Sequence, residues 1–103
     1  MEQDLFEKVM EAAVNPTRAK ILALLAKEEL SFAQIMKSLE MTNSGLLFFH
    51  LRALRKAFLI KKETKSEGPY RCAFSLTDLG KTIVSQLEQI RSAIVAAFPE
   101  KEQ

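Results

Sequence analysis

The chain has one cysteine and no long apolar stretch. Cys72 alone cannot form an internal disulfide, and no set of cysteines exists at zinc-ligand spacing. No window approaches the roughly 18 consecutive apolar residues that a membrane helix requires, and the first residues carry two acids rather than a basic run. For these 103 residues we therefore expect one cytoplasmic domain spanning residues 1–103, without a bound metal or cofactor.

The residues of common catalytic sites are equally scarce. The three glycines form no phosphate-binding loop, the acids are scattered over predicted helix surfaces, and no nucleophile has a plausible histidine partner. His50, the only histidine, has no further ligand at suitable spacing, so packing or a phosphate contact is expected rather than metal binding. The sequence does not predict an enzyme.

Charge is small in total but unevenly distributed. The net charge is +2, which does not by itself indicate nucleic-acid binding. Between residues 42 and 71, however, seven basic residues accompany two acidic ones, a local net charge of +5 against −3 for the remainder. One third of the chain is therefore a cationic patch of the kind that binds nucleic acid.

The amino-terminal part has the apolar periodicity of two helices. Leu5, Phe6 and Val9 recur at helical spacing in a first segment that begins with acids, which suit the positive end of a helix dipole. Asn15 and Pro16 then predict the start of a second helix, because Asn caps helices and Pro is favoured at the first helical position. We expect this helix over residues 16–27, with its core side formed by Ala19, Ile21, Leu22, Leu24 and Leu25.

Two further helices are predicted, separated by a break at residues 40–43. Ser31 and Gln34 have the spacing of a capping box and predict a short third helix reaching residue 39. Thr42 or Asn43 is expected to cap a fourth helix that extends to residue 58. A helical wheel places Leu47, Leu51, Leu54 and Phe58 on its core side and Gly45, Phe49, Arg52 and Lys56 on its outward side.

Beyond residue 58 the period changes from helical to alternating. Residues 59–64 and 70–76 are predicted to form a β-hairpin that turns at Gly68 and Pro69. Its inward side is expected to comprise Tyr70, Cys72, Phe74 and Leu76, with Cys72 as a small core residue rather than a reactive thiol.

A last helix is predicted over residues 77–98, capped by Thr77 and followed by Pro99. Its apolar stripe has coiled-coil spacing and is too long for so small a domain to bury alone. We therefore predict a homodimer, in which the first and last helices contribute Leu5, Phe6, Val9, Ile83, Leu87, Ile90 and Ile94.

The order of elements, mainly α with a small β-hairpin wing, is that of a winged helix-turn-helix in the α+β class. Residues 15–22 (NPTRAKIL) resemble the "(D/N)-P-x-R-x-x-I-L" opening of ArsR-like regulators. Residues 31–35 (SFAQI) resemble the helix before their turn, and residues 50–54 (HLRAL) resemble their recognition-helix "H-L-x-x-L". Residues 70–80 are similar to the "Y-x-L-T-x-x-G" segment of MarR-like regulators.

This resemblance implies a homodimeric transcription regulator of palindromic double-stranded DNA, with the fourth helix in the major groove and the wing on the backbone or minor groove. The sequence departs from the pattern in two ways. The Cys-x-Cys of ArsR metal sensors is absent, so metal sensing is not supported. Leu46 to Phe49 is apolar where such helices usually carry small polar residues.

The polar candidates for DNA contact lie at three places, and each has an ordinary structural alternative. Residues at the start of the fourth helix can bind phosphate or simply cap the helix. Residues on its outward face can contact bases or only be solvated. Residues on the wing can straddle a phosphate backbone or only protect exposed strand edges. The candidates are Thr42, Asn43 and Ser44, then Arg52 and Lys56, then Lys61, Lys62, Lys65 and Arg71.

Phe49 is the apolar candidate on the outward face. Its ring can contact a thymine methyl group, or the helix can be rotated so that Phe48 or Phe49 packs under the wing against Tyr70, as burial preferences favour.

The sequence also allows a second function. A winged-helix module can bind another protein through Phe49 and the long apolar helix instead of binding DNA. A pocket between the last helix and the core has room for a small-molecule effector, but no residue argues for one.

Overall fold

The computed structural model describes residues 2–65, 68 and 72–99. The elements follow the predicted order of helices and hairpin. They are α1 (Glu2–Ala13), α2 (Pro16–Lys27), α3 (Phe32–Ser38), α4 (Ser44–Lys56), β1 (Ile60–Thr64), β2 (Cys72–Leu76) and α5 (Asp78–Ala97). The mainly helical winged helix-turn-helix is confirmed, with α3 and α4 as its two characteristic helices.

The helix starts lie where the capping residues predict them. Asn15 accepts a hydrogen bond from the Arg18 amide at 3.1 Å, and Thr77 accepts one from the Gly80 amide at 2.9 Å. At α3 the capping box is complete: the Ser31 hydroxyl accepts from the Gln34 amide at 3.1 Å, while the Ser31 amide donates to the Gln34 side chain at 2.8 Å. Each bond satisfies an amide that the helix itself leaves unpaired.

The end of α4 is where the sequence prediction is wrong. The helix ends at Lys56, and Phe58 has φ 61° with 63% of its surface exposed, so it is not a core residue. The Phe58 amide donates to the Arg55 carbonyl and the Leu59 amide to the Leu54 carbonyl, both at 3.0 Å. This is a Schellman ending, which turns the chain so that Leu59 is buried in place of Phe58.

The same ending creates the turn between α3 and α4. Glu40 has φ 54°, its amide donates to the Lys37 carbonyl, and the Met41 amide donates to the Met36 carbonyl at 2.9 Å. Both turns that position α4 therefore use a left-handed residue other than glycine.

The core lies between α2, α3, α4 and the hairpin. It contains the predicted Leu47, Leu51 and Leu54 of α4 against Ile21 and Leu22 of α2. Of the other residues predicted to lie on the core side of α2, Leu25 is buried, whereas Ala19 and Leu24 are half-buried. The inner face of α4 is thus fully used by its own domain.

The wing is an antiparallel pair in which Ile60 lies opposite Leu76 and Lys62 opposite Phe74. Leu30 bridges to Phe74 through two backbone hydrogen bonds, which fasten the wing to the segment before α3. Phe74 and Leu76 are buried as predicted, but Cys72 is only half-buried and Ala73 is buried as well, so the alternation is incomplete. The predicted inward Tyr70 lies outside the described residues.

The base of α5 is attached to the end of α4. Thr77 donates its hydroxyl to the Phe58 carbonyl at 2.6 Å and its amide to the Leu59 carbonyl at 3.1 Å. A Cβ atom at Gly80 would collide with the Leu59 carbonyl, so glycine allows this close approach. Within the described part of the chain, no helix is both long and apolar enough to span a membrane.

Candidate nucleic-acid interface

The outward face of α4 is exposed along its whole length. Gly45, Phe49, Arg52 and Lys56 all lie at the surface, opposite the buried leucines, as the helical wheel predicts. At the amino end, Asn43 caps the helix by accepting from the Leu46 amide at 3.0 Å, and Thr42 and Ser44 beside it are exposed. The first amides of α4 lie at this end, where they can meet an anion.

A cationic cleft lies between the last turns of α4 and strand β1. Its volume is about 500 Å³, and Ile60 is its one apolar lining residue. The cations around it, which define the cationic cleft, are Arg52, Arg55, Lys56, Lys61 and Lys62. Among the described residues, none that lines it is acidic. Four sequence candidates from two elements, Arg52, Lys56, Lys61 and Lys62, are thereby brought together around one surface.

Arg55 is the member that the sequence prediction missed. The helical wheel places it beside the core side of α4, away from Arg52 and Lys56. It belongs to the cleft because β1 folds back next to α4, and this neighbour is not visible in the helix periodicity.

Two wing candidates, Lys65 and Lys61, lie beside acidic side chains. Lys65 lies 3.0 Å from Glu29, which precedes α3, and this hydrogen bond and charge raise the pKa of Lys65 above its usual value. Lys61 lies 3.4 Å from Glu63 on the same strand. These exposed pairs are weak and do not prevent contact with phosphate. Arg71 lies outside the described residues.

Arg18 joins three helices behind the exposed face. Its Nε donates to Nδ1 of His50 at 3.1 Å, and its Nη1 donates to the carbonyls of Glu11 and Ala12, each at 3.4 Å. Burial, together with the nearby Arg18 charge, lowers the pKa of His50 below 6.5. His50 is therefore a neutral acceptor that fixes α4 against α1 and α2. Both residues belong to motifs quoted above, but their contact was not predicted.

The two phenylalanines of α4 have different surroundings. Phe49 is 58% exposed and is therefore not buried under the wing, while Tyr70, its predicted partner there, lies outside the described residues. Its ring lies 5.6 Å from the Arg18 guanidinium carbon and edge-on to the His50 ring. Phe48 is 56% exposed and borders a groove with Phe32 and Phe74 on the wing side.

The residues predicted to form the dimer interface lie on α1 and along the apolar stripe of α5, and several of them are exposed. Ile90 and Ile94 are 53% and 52% exposed, and Leu5 and Phe6 are also exposed, whereas Val9, Ile83 and Leu87 are partly buried. A groove of about 540 Å³ runs between α2 and α5. Within the described ranges, no group of three potential metal ligands occurs.

The helix-turn-helix segment is similar in sequence to a known family of regulatory proteins. Residues 15–62 match the family model of the bacterial regulatory protein, arsR family. An uncharacterised HTH-type transcriptional regulator of Methanocaldococcus jannaschii is 36% identical over 61 residues, which are 59% of this chain and 63% of that protein. The chain thus matches less than two thirds of the length of this relative.

Solved structures extend the likeness to nearly the whole chain. A transcriptional regulator homologue from Pyrococcus horikoshii has a TM-score of 0.75 at 24% identity, covering 92% of this chain and 97% of that one. A MarR-family regulator from Enterococcus faecalis has a TM-score of 0.78 at 19% identity, covering 99% and 92%. Lactococcus lactis ZitR has a TM-score of 0.75 at 21% identity, but this chain covers only 59% of it. These similarities establish the winged-helix fold.

Proposed function

Since residues 15–62 carry the helix-turn-helix of the arsR family within a winged-helix fold, we propose that the protein is a cytoplasmic transcription regulator that binds double-stranded DNA as a homodimer. Helix α4 enters the major groove, and the wing lies along the phosphate backbone. Thr42, Asn43 and Ser44 meet phosphate at the amino end of α4.

The observation that carries this proposal is the cationic cleft. It is continuous with the outward face of α4 because Arg52 and Lys56 belong to both. An α-helix fits the major groove, and the five cations of the cleft beside α4 support a contact with the flanking phosphates. Phosphate neutralisation supplies most of the affinity of such proteins and makes it depend on salt.

The test removes two charges from this surface. Arg52→Ala with Lys56→Ala should weaken binding to duplex DNA by at least about tenfold, because one or two phosphate or base contacts are lost. The dependence of log affinity on log salt should become shallower by up to about 1.8, which is about 0.9 for each lost phosphate contact. Fluorescence anisotropy over a salt series measures both quantities.

The matched control removes the same charge elsewhere. Lys8 and Lys81 are exposed on α1 and α5 and lie outside the cleft, so replacing both with Ala should leave the salt dependence unchanged. Equal losses in the two double variants would contradict the assigned face. Absence of salt-sensitive binding in the unmodified chain would favour the protein-interaction alternative.

The homodimer is supported by the exposed apolar stripe of α5. Ile90 and Ile94 border the groove against α2, and Leu5 and Phe6 expose further apolar surface on α1. Exposed apolar side chains grouped on a helix in this way often mark an interface, since their burial is favourable by about 25 cal/mol per Å².

Charge placed on that stripe should separate the protomers. Ile90→Lys with Ile94→Lys is expected to give a folded monomer, because both side chains are already more than half exposed. Ser85→Lys with Ser92→Lys adds the same charge on the opposite side of α5 and should leave a dimer. Sedimentation and circular dichroism distinguish these outcomes, and an intact dimer in the first variant would disprove the interface.

A further inference from the structure

The centre of the exposed face of α4 is apolar, although a surface that reads DNA by hydrogen bonds would carry polar groups there. Phe49 lies on this face between Gly45 and Arg52, about one turn from each, with 58% of its surface exposed. We propose that α4 recognises the 5-methyl groups of thymine in the major groove, and that Phe49 is the residue that contacts them. This inference rests on the proposed DNA-binding function and specifies which bases it selects.

Apart from Arg52 and Lys56, the face offers few other groups that can read bases. Gly45 has no side chain, and the Asn43 side-chain oxygen is already bonded to the Leu46 amide. Phe49 cannot pair with the donors and acceptors of base edges, and covering them with its ring would leave them unsatisfied. The thymine methyl is the apolar group that the major groove presents, so it is the group that a phenyl ring matches.

Phe49 is also held in position before any ligand arrives. The Arg18 guanidinium carbon lies 5.6 Å from its ring centroid, and the His50 ring lies 5.6 Å away at an interplanar angle of 66°. Arg18 is in turn bonded to His50 and to the end of α1. A ring fixed in this way loses little conformational freedom on contact, which favours selective binding over a loose apolar contact.

Gly45 leaves space beside the ring. It lies one helical turn before Phe49 on the same face, where alanine would make a more stable helix. A Cβ atom at this position would lie 3.3 Å from Oδ1 of Asn43, a tight contact with the oxygen that caps α4, and apart from its chain neighbours and the backbone of α4 it would meet no other atom within 4 Å. The gap lets the edge of a base come close to the phenyl ring.

Phe48 provides a matched control on the same helix. It is exposed to nearly the same extent, 56%, but borders the groove beside Phe32 and Phe74 under the wing. That groove is also lined by Arg52, Arg55 and Lys62, so Phe48→Ala is expected to alter the overall affinity, but it leaves Phe49 in place and should keep the preference for thymine over uracil.

The experiment uses duplexes that the unmodified full chain selects from a random-sequence library. Each thymine in the protected region is then replaced by deoxyuridine, which lacks the methyl group but keeps the same hydrogen-bonding edge. We expect at least one position per half-site at which this replacement weakens binding about fourfold, corresponding to the burial of one methyl group. Phe49→Ala should bind the thymine and uracil duplexes equally, whereas Phe48→Ala should still distinguish them.

Each other outcome overturns a defined part of the idea. Equal binding of thymine and uracil duplexes by the unmodified chain disproves methyl recognition and leaves DNA binding intact. Discrimination that persists in Phe49→Ala disproves the role of Phe49. If the chain recovers no duplex and shows no salt-sensitive binding, the proposed function fails and this inference fails with it.

Discussion

Helices α4 and α5 are both amphipathic, yet they use their apolar faces differently. In α4, Leu47, Leu51 and Leu54 are buried within the domain. In α5, Gly80 is the one buried residue of 20, and the stripe becomes more exposed toward Ile90 and Ile94. The first helix is complete within one chain, whereas the second still has apolar surface to cover.

This difference separates the residues that hold the fold from those available for binding. Because the inner face of α4 is satisfied, its exposed Phe49 and its cations are not needed for packing and can serve recognition. The exposed part of α5 has the opposite character, since its apolar groups gain stability only when another surface covers them. Truncating one apolar side chain in each helix tests this difference.

The largest effect on stability is expected from truncating Leu54 in α4, and truncating Ile94 in α5 is the comparison. Leu54 is fully buried, so Leu54→Ala should lower the free energy of unfolding by about 3 kcal/mol, within the range of about 2 to 5 kcal/mol for such changes. Ile94→Ala should change the stability of the protomer by only about 0.5 kcal/mol but weaken association. Thermal unfolding at several protein concentrations measures both effects.

The concentration dependence decides whether the comparison holds. The Leu54→Ala midpoint should fall at every concentration, whereas the Ile94→Ala midpoint should depend less on concentration than that of the unmodified chain. If both variants lose the same stability at all concentrations, α5 is packed as fully as α4 and the comparison is wrong.

Sequence predicted the helix starts well because capping is local. Asn15, Ser31 and Thr77 each satisfy an amide three residues away, so the signal and its structural consequence lie in the same short segment. The apolar periodicity of α4 was equally informative for Leu47 and Leu54.

The errors and omissions involve features that a short segment does not contain. Phe58 continues the apolar period of α4, but the chain has already turned, and no glycine marks the left-handed position. The bond between Arg18 and His50 joins residues 32 positions apart, and Arg55 gains its role from a neighbouring strand. The fold was therefore more predictable than the site, whose DNA contacts stay predictions.

A second, smaller effect concerns the one polar side chain buried in α4. Arg18→Met keeps much of the side-chain length but removes the donor to His50, leaving a buried acceptor unpaired. The expected cost is about 1–2 kcal/mol. Lys20→Met, on the exposed side of the same helix, is the matched control and should cost much less. Urea unfolding at pH 7.5 measures the difference.

The pH dependence of stability gives an independent readout of this contact. Because the pKa of His50 is lowered in the folded state, the unfolded chain binds more protons below about pH 6.5, and stability should fall as the pH decreases from that point. Arg18→Met removes part of the cause, so its loss between pH 7 and pH 5.5 should be smaller. An identical loss in both proteins would show that Arg18 does not influence this titration.

The smallest effect is expected where α4 ends and α5 is attached. Phe58 holds a left-handed conformation that costs an L-residue about 1–2 kcal/mol, and most of its ring is exposed. Phe58→Gly should therefore raise the free energy of unfolding by about 0.5–1 kcal/mol, whereas Phe58→Ala retains the backbone strain and should give no gain. Urea unfolding distinguishes the two variants. A loss of stability in both would mean that the ring makes a stabilising contact and that this junction, like the inner face of α4, depends on side-chain packing.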